Sequence, residues 1–253
     1  MTHVSLFTGI GGLDLAAEAA GFETVLQVER EPYALRILER HWQNVPRITD
    51  VREVHDDERW SRPTVVSGGF PCQPFSAAGK RRGADDDRYL WPELLRIVDE
   101  IRPSWVVGEN VSGLLSIRDG MEIDDMLASL EARNYTPWVL HYPAAGVGAP
   151  HKRDRVFIVA HCQQSRRRPN KQKLPKRGRN MGECNKPNCL GSWEDIQFNW
   201  QTKKAGRPLA FEPRVHRADD GFSDWVDRLK ALGNTVVPAQ AYPIFAAIAE
   251  AEK

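Results

Sequence analysis

The sequence predicts an α/β protein with a mostly parallel, doubly wound sheet and a small, basic second domain. Three observations predict it. Short runs rich in β-branched and apolar residues alternate with amphipathic stretches at the spacing of strand–helix units. Glycine- and proline-rich turns follow several of these runs, at the strand ends where open α/β sheets bind ligands. Charge is also segregated: between His161 and Arg217 there are 14 Lys/Arg and four Asp/Glu, a net of +10, so the rest of the chain carries −9 of the overall +1.

His3 to Phe7 reads as a first strand that runs into Thr8-Gly9-Ile10-Gly11-Gly12. Leu13 to Ala20 follows as a helix, with Gly21 as its stop. Thr24 to Val28 is a second strand, ending at Glu29. Pro32 opens a helix through Trp42, the usual place for a proline. Arg47 to Val51 passes through Asp50 as a third short strand or loop, and Thr64-Val65-Val66 makes a fourth strand. Glu93 to Ile101 has helical amphipathic spacing, Trp105 to Val107 is a strand ending at Glu109, and Met121 to Arg133 is a further helix. Trp138 to Tyr142 and Arg155 to Ala160 read as two more strands. Periodicity is lost after Ala160, and order resumes near Phe222, with Tyr242 to Ala251 an alanine-rich helix. The expected division is therefore 1–160 plus 222–253 as one domain, the last helix packing back on it, and 161–221 as a second.

A chain of 253 residues can bury a sizeable core. Four irregularly spaced cysteines do not make a disulfide scaffold and suit a reducing cytoplasm. No basic-apolar leader opens the chain and no apolar run reaches membrane-spanning length, so a soluble cytoplasmic monomer is expected. His161 and Cys162, with Cys184-x4-Cys189 downstream, lack the paired knuckle of a structural zinc site; free thiols, and no metal, are expected.

The most unusual stretch is Gly68-Gly69-Phe70-Pro71-Cys72-Gln73-Pro74-Phe75-Ser76. Two glycines and two prolines constrain the backbone around one thiol just past a strand. Core packing does not need such bracketing; a nucleophilic thiolate does. Gly69 to Ser76 resembles the catalytic loop of the DNA (cytosine-5) methyltransferases. Glu109-Asn110-Val111, Arg153-Asp154-Arg155 and Leu232-Gly233-Asn234-Thr235-Val236-Val237-Pro238 resemble further motifs of that family, in family order. His151 stands where the family has glutamine before the two arginines. The resemblance covers 4–160 and 222–250. It implies a Rossmann-like S-adenosylmethionine-dependent methyltransferase fold and a small target-recognition domain.

The chemistry is consistent with that resemblance. Carbon 5 of cytosine becomes nucleophilic when a thiolate adds at carbon 6, if an acid near N3 and a cation near O2 take up the displaced charge. Cys72 is the expected nucleophile, Glu109 the acid, and Arg153 and Arg155, two apart on one strand face, the cationic support. The glycine turn lacks the third glycine of a dinucleotide fingerprint, which disfavours NAD. Glu29, 17 residues after Gly12, suits ribose hydroxyls, and Asp50 an adenine amino group. By resemblance, Phe7, Gly9, Gly11, Gly12, Leu13, Val51, Pro71, Leu90, Asn234 and Thr235 complete an S-adenosyl-L-methionine site.

A cytosine in duplex DNA must be flipped out to reach such a site. Ser76, Lys80, Arg81, Arg82 and Arg88 are expected to hold the DNA backbone. The basic segment, with Trp193, Phe198 and Trp200 interleaved, is expected to anchor and read the duplex. A separately acting restriction endonuclease is a possible partner. RNA cytosine methylation, and a non-catalytic DNA-binding module, are the competing functions.

Overall fold

Strand β1 (Thr2–Leu6) lies near the middle of a seven-stranded sheet in the computed structural model, which describes residues 1–71, 89–163 and 231–253. In chain order the elements are β1, α1 (Gly12–Ala19), β2 (Glu23–Val28), α2 (Pro32–His41), β3 (Arg47–Ile48) and β4 (Val65–Gly68). Then come α3 (Trp91–Ile101), β5 (Trp105–Val111), α4 (Met121–Glu131), β6 (Tyr135–Pro143), β7 (Asp154–Cys162) and α5 (Pro238–Ala251). The sheet order is β3-β2-β1-β4-β5-β7-β6. Strands β1 to β5 pair in parallel, whereas β7 pairs antiparallel with both β5 and β6.

The parallel strands are buried on both faces. Val65 and Val107 join one core with α1 and α5; Val66 and Val106, one residue along, join another with α3 and α4. Helix α5 packs on α1 through Phe245, Ala241 and Leu13. The order of connections reverses between β1 and β4, so the loops after these strands diverge and leave a crevice at their carboxyl ends.

The structure adds one feature to the sequence expectations and corrects another. The strands around Trp138 and Arg155 form an antiparallel hairpin, because the ten residues between Pro143 and Asp154 hold only a short turn, Ala144–Val147, and no crossover helix. This reverses β7, so that its beginning rather than its end reaches the crevice edge. The last helix starts at Pro238, four residues before the expected Tyr242, with Pro238 at its first position and Pro243 accommodated inside it.

Strand β1 carries polar residues that a fully buried strand does not predict. His3 is fully buried, with Nδ1 3.0 Å from Thr24 Oγ1 and Nε2 2.7 Å from Ser67 Oγ. Ser5 donates to Asp14 at 2.8 Å, and Gln27 donates to the other Asp14 oxygen at 2.9 Å. Burial pushes the His3 imidazole down to about 3 and the Asp14 carboxyl up to about 6. The signs oppose. His3 is neutral in the fold but charges in the unfolded chain, so its contribution is present above pH 6.5 and is lost as pH falls towards 3. Asp14 favours the fold when protonated; that contribution is complete at low pH and is lost as pH rises through about 6. A His3→Gln variant is therefore expected to gain on the parent protein by about 1.4 kcal/mol per pH unit on acidification between pH 6 and 4. Urea unfolding at several pH values checks this; a constant gap would contradict it.

Candidate active site

The crevice at the carboxyl ends of β1, β2, β4 and β5 encloses about 1160 Å³. That exceeds the roughly 300–1,000 Å³ of a site for one small molecule, and gives room for two ligands end to end. Its two ends are chemically different.

One end holds an acid and a guanidinium. Glu109 is near the end of β5 and only 7% exposed. Because β7 runs antiparallel, Arg155 comes opposite Val111 and its Nε lies 2.7 Å from Glu109 Oε1. The contact is close but off the line of the N–H bond, which leaves Oε1 charge-paired without a directed hydrogen bond. Burial pushes the Glu109 carboxyl up from the ordinary carboxylate range, and the charges of Arg155 and then Arg153 oppose that rise. An acid in this position can hold a proton and pass it to a ring nitrogen.

The loop after β4 comes up against this acid. A Cβ on Gly69 would sit 3.1 Å from Glu109 Oε2, so only glycine allows the approach without displacing the carboxylate. The Phe70 ring packs on Trp91 at 4.9 Å, and the Phe70 carbonyl accepts a 3.0 Å hydrogen bond from Asn110 Nδ2. Asn110 Oδ1 in turn accepts from the Val111 N–H at 2.8 Å. Asn110 thereby fixes the backbone two residues before Cys72, a role that its place in Glu-Asn-Val does not reveal without the fold. Pro71 lines the crevice. Cys72, Ser76, Lys80, Arg81, Arg82 and Arg88 lie outside the described residues, as do Cys184, Cys189 and the interleaved aromatics.

The other end is nucleotide-like. Phe7, held at φ 51°, and Gly9, at φ 59°, shape the turn after β1. Gly12, Leu13, Val51 and Leu90 also line this region, as do Asn234 and Thr235. The Glu29 carboxylate accepts from the backbone N–H groups of Gly9 at 2.6 Å, Arg30 at 2.8 Å and Glu31 at 2.7 Å. It is therefore a structural knot for the turn as well as a candidate ligand group. Asp50 caps the short helix Val51–Glu53 by accepting from Arg52 N at 3.0 Å, and it faces the same space. This set fits an adenosyl group and an amino-acid tail: two carboxylates for hydroxyl and amino donors, apolar walls, and a glycine turn at close range.

Two residues are placed differently from expectation. Gly11 does not line the crevice; at φ 88° it faces Trp42, whose ring would lie 2.4 Å from a Cβ there. That glycine serves helix packing. Arg153 is not on a strand face with Arg155. It precedes β7, at φ 36°, and its Nη2 donates to the carbonyls of Gly233, at 2.8 Å, and of Thr235.

A doubly wound sheet whose strand ends hold a nucleotide-type site opening onto a buried acid–guanidinium pair defines an α/β ligand-binding domain. The model of the C-5 cytosine-specific DNA methylase family matches residues 1–207, and the chain belongs to that family. It is 35% identical over 160 residues to the type II methyltransferase M.FnuDI of Fusobacterium nucleatum, which covers 63% of this chain and 46% of that protein. It is 36% identical over 163 residues to M.NgoMIV of Neisseria gonorrhoeae, covering 63% and 51%. The chain thus spans about half the length of these relatives. A solved DNMT2 structure from Spodoptera frugiperda shares the fold, with a TM-score of 0.54 and 22% identity over 68% of this chain and 53% of the other. The sheet is the Rossmann-like one of these methyltransferases.

Proposed function

We propose that this chain methylates carbon 5 of a cytosine flipped out of duplex DNA, using S-adenosyl-L-methionine. The observation that carries this reading is the single crevice in which the Glu109–Arg155 pair and the Glu29 and Asp50 carboxylates face one space.

The cofactor would supply a methyl group made electrophilic by its sulfonium. Glu29 would hold the ribose hydroxyls and Asp50 the adenine amino group. Phe7, Val51 and Leu90 would form apolar walls, with Gly9, Gly12 and Leu13 beneath and Pro71, Asn234 and Thr235 closing the site. The Cys72 thiolate adds to carbon 6 of the cytosine while Glu109 gives its proton to N3 and Arg155 faces O2. Electron density then reaches carbon 5, which would take the methyl group as the methyl–sulfonium bond breaks and a neutral thioether leaves. Loss of the carbon-5 proton to a base, with return of the N3 proton to Glu109, breaks the carbon–sulfur bond and frees the thiolate.

In this reading Ser76, Lys80, Arg81, Arg82 and Arg88 grip the DNA backbone. Residues 161–221 act as a target-recognition domain whose net positive charge is attracted to phosphates, and 1–160 with 222–253 form the catalytic domain. The description of the matching family, a cytosine-specific DNA methylase, supports DNA over RNA as substrate. Among the described residues no helix is long and apolar enough to cross a membrane; action as a cytoplasmic monomer, alongside a separately acting endonuclease, completes the proposal.

Bisulfite sequencing of a plasmid recovered from cells expressing this chain tests it. Protected cytosines at one recurring sequence are the expected result. Complete conversion at every site, with the protein present in soluble form, would refute it.

A further inference from the structure

We infer that Arg153 is a positioning residue for the cofactor, acting by clamping residues 233–235 as a wall of the crevice. It does not serve as a second cation for the flipped base. The inference rests on the cofactor site proposed above and adds a residue that works on it from outside.

Arg153 connects three pieces of the chain. Its guanidinium donates to the Gly233 and Thr235 carbonyls. Its own carbonyl accepts from Ala144 N at 3.2 Å and from Gln240 Nε2 at 3.3 Å. Gln240, fully buried in α5, also donates to the Tyr142 carbonyl at 2.7 Å, and the Tyr142 hydroxyl donates to the Gln240 carbonyl. A non-glycine residue at φ 36° persists only where its surroundings over-determine it, and these contacts do so.

What the clamp holds is the cofactor wall. Gly233, Asn234 and Thr235 line the crevice. Thr235 and Val236 press so closely on the glycine turn that a Cβ on Gly12 would lie 2.6 Å from Thr235 Cγ2 and 2.7 Å from the Val236 carbonyl. If 233–235 moved away, the cofactor end would widen directly over that turn. Meanwhile Arg155, two residues on, faces Glu109 at the other end. The start of β7 therefore serves both halves of the site through different arginines.

The test compares Arg153→Ala, Arg153→Lys and Arg155→Ala with the parent protein. Amide hydrogen exchange over 233–236 in the cofactor-free protein is expected to speed up about tenfold or more in Arg153→Ala, since directed hydrogen bonds from a charged donor are lost. Calorimetric affinity for S-adenosyl-L-methionine is expected to weaken about tenfold or more, with the kinetic loss in the cofactor KM rather than kcat. Arg153→Lys, which keeps the charge and can reach one carbonyl, is expected to restore part of both. Arg155→Ala is expected to spare cofactor affinity and lower kcat. A fall in kcat for Arg153→Ala with unchanged exchange and unchanged cofactor affinity would overturn the inference. If the parent protein does not bind the cofactor, the functional proposal fails, and exchange over 233–236 still decides the clamp: unchanged exchange in Arg153→Ala overturns it.

Discussion

Replacing Cys72 by alanine is expected to lower methyl transfer to DNA by at least about four orders of magnitude while leaving S-adenosyl-L-methionine binding intact. Carbon 5 of cytosine does not attack a methyl donor until carbon 6 has gained a bond, and the alanine side chain cannot form one. The cofactor end of the crevice is built mainly from the turns after β1, β2 and β3 and from the 233–236 segment, and Pro71 is unchanged in the variant, so calorimetric affinity should be unchanged. The neighbouring backbone also keeps its anchor, because Asn110 holds the Phe70 carbonyl irrespective of the residue at 72. Single-turnover assays with labelled cofactor check both halves of the expectation. Residual turnover within about a hundredfold of the parent would remove Cys72 from the mechanism.

Glu109→Gln is expected to cost about two to four orders of magnitude in kcat, with little change in cofactor KM. Glutamine keeps the shape and can still donate a hydrogen bond, but it cannot release a proton to N3 and take it back. The partner substitution, Arg155→Ala, has a different signature. It removes the larger of the two arginine charges that hold the Glu109 carboxyl down, so that carboxyl should rise further. Activity that needs a protonated Glu109 falls as pH rises through its folded pKa. The alkaline limb of the kcat profile should therefore move to higher pH in Arg155→Ala, at a lower plateau. In Glu109→Gln that limb should vanish. Arg155→Ala should also lose about 3–5 kcal/mol of stability if Glu109 stays ionised, and less if the acid takes a proton instead. Profiles of kcat against pH for the three proteins check this.

Much of the architecture was legible because it depends on local pattern. The β-branched run before Gly68 and the glycines after Leu6 mark strand ends through period and turn chemistry alone. The pairing direction of β6 and β7 was not, since strand signals carry no direction; only the short connection, ten residues without a helix, betrays the hairpin. Alternating His3 and Ser5 would ordinarily face solvent. They are buried here because Thr24 and Ser67, from more distant parts of the chain, bond His3, and Asp14 on the following helix bonds Ser5.

The site divides in the same way. Glu109 and Arg155 were legible as chemistry at strand ends, and the fold brings them together. Arg153 was misplaced because the two-residue spacing implies a shared face only inside a strand, and β7 begins one residue later, at Asp154. Gly11 reads like its neighbours in the turn, but the indole of Trp42 rather than a ligand occupies its open side. Gln240 and Tyr142 carry no motif at all; their importance lies in a mutual contact across 98 residues of chain.

The central claim is a covalent bond between the Cys72 sulfur and carbon 6 of an everted cytosine. Duplex DNA carrying 5-fluorocytosine at the methylated position tests it directly, because fluorine replaces the proton whose loss frees the enzyme. Incubated with S-adenosyl-L-methionine and run on a denaturing gel, the parent protein should give a protein–DNA band that Cys72→Ala does not. No band with the parent protein on a substrate whose unfluorinated form it methylates, or a band that persists in Cys72→Ala, would contradict the account.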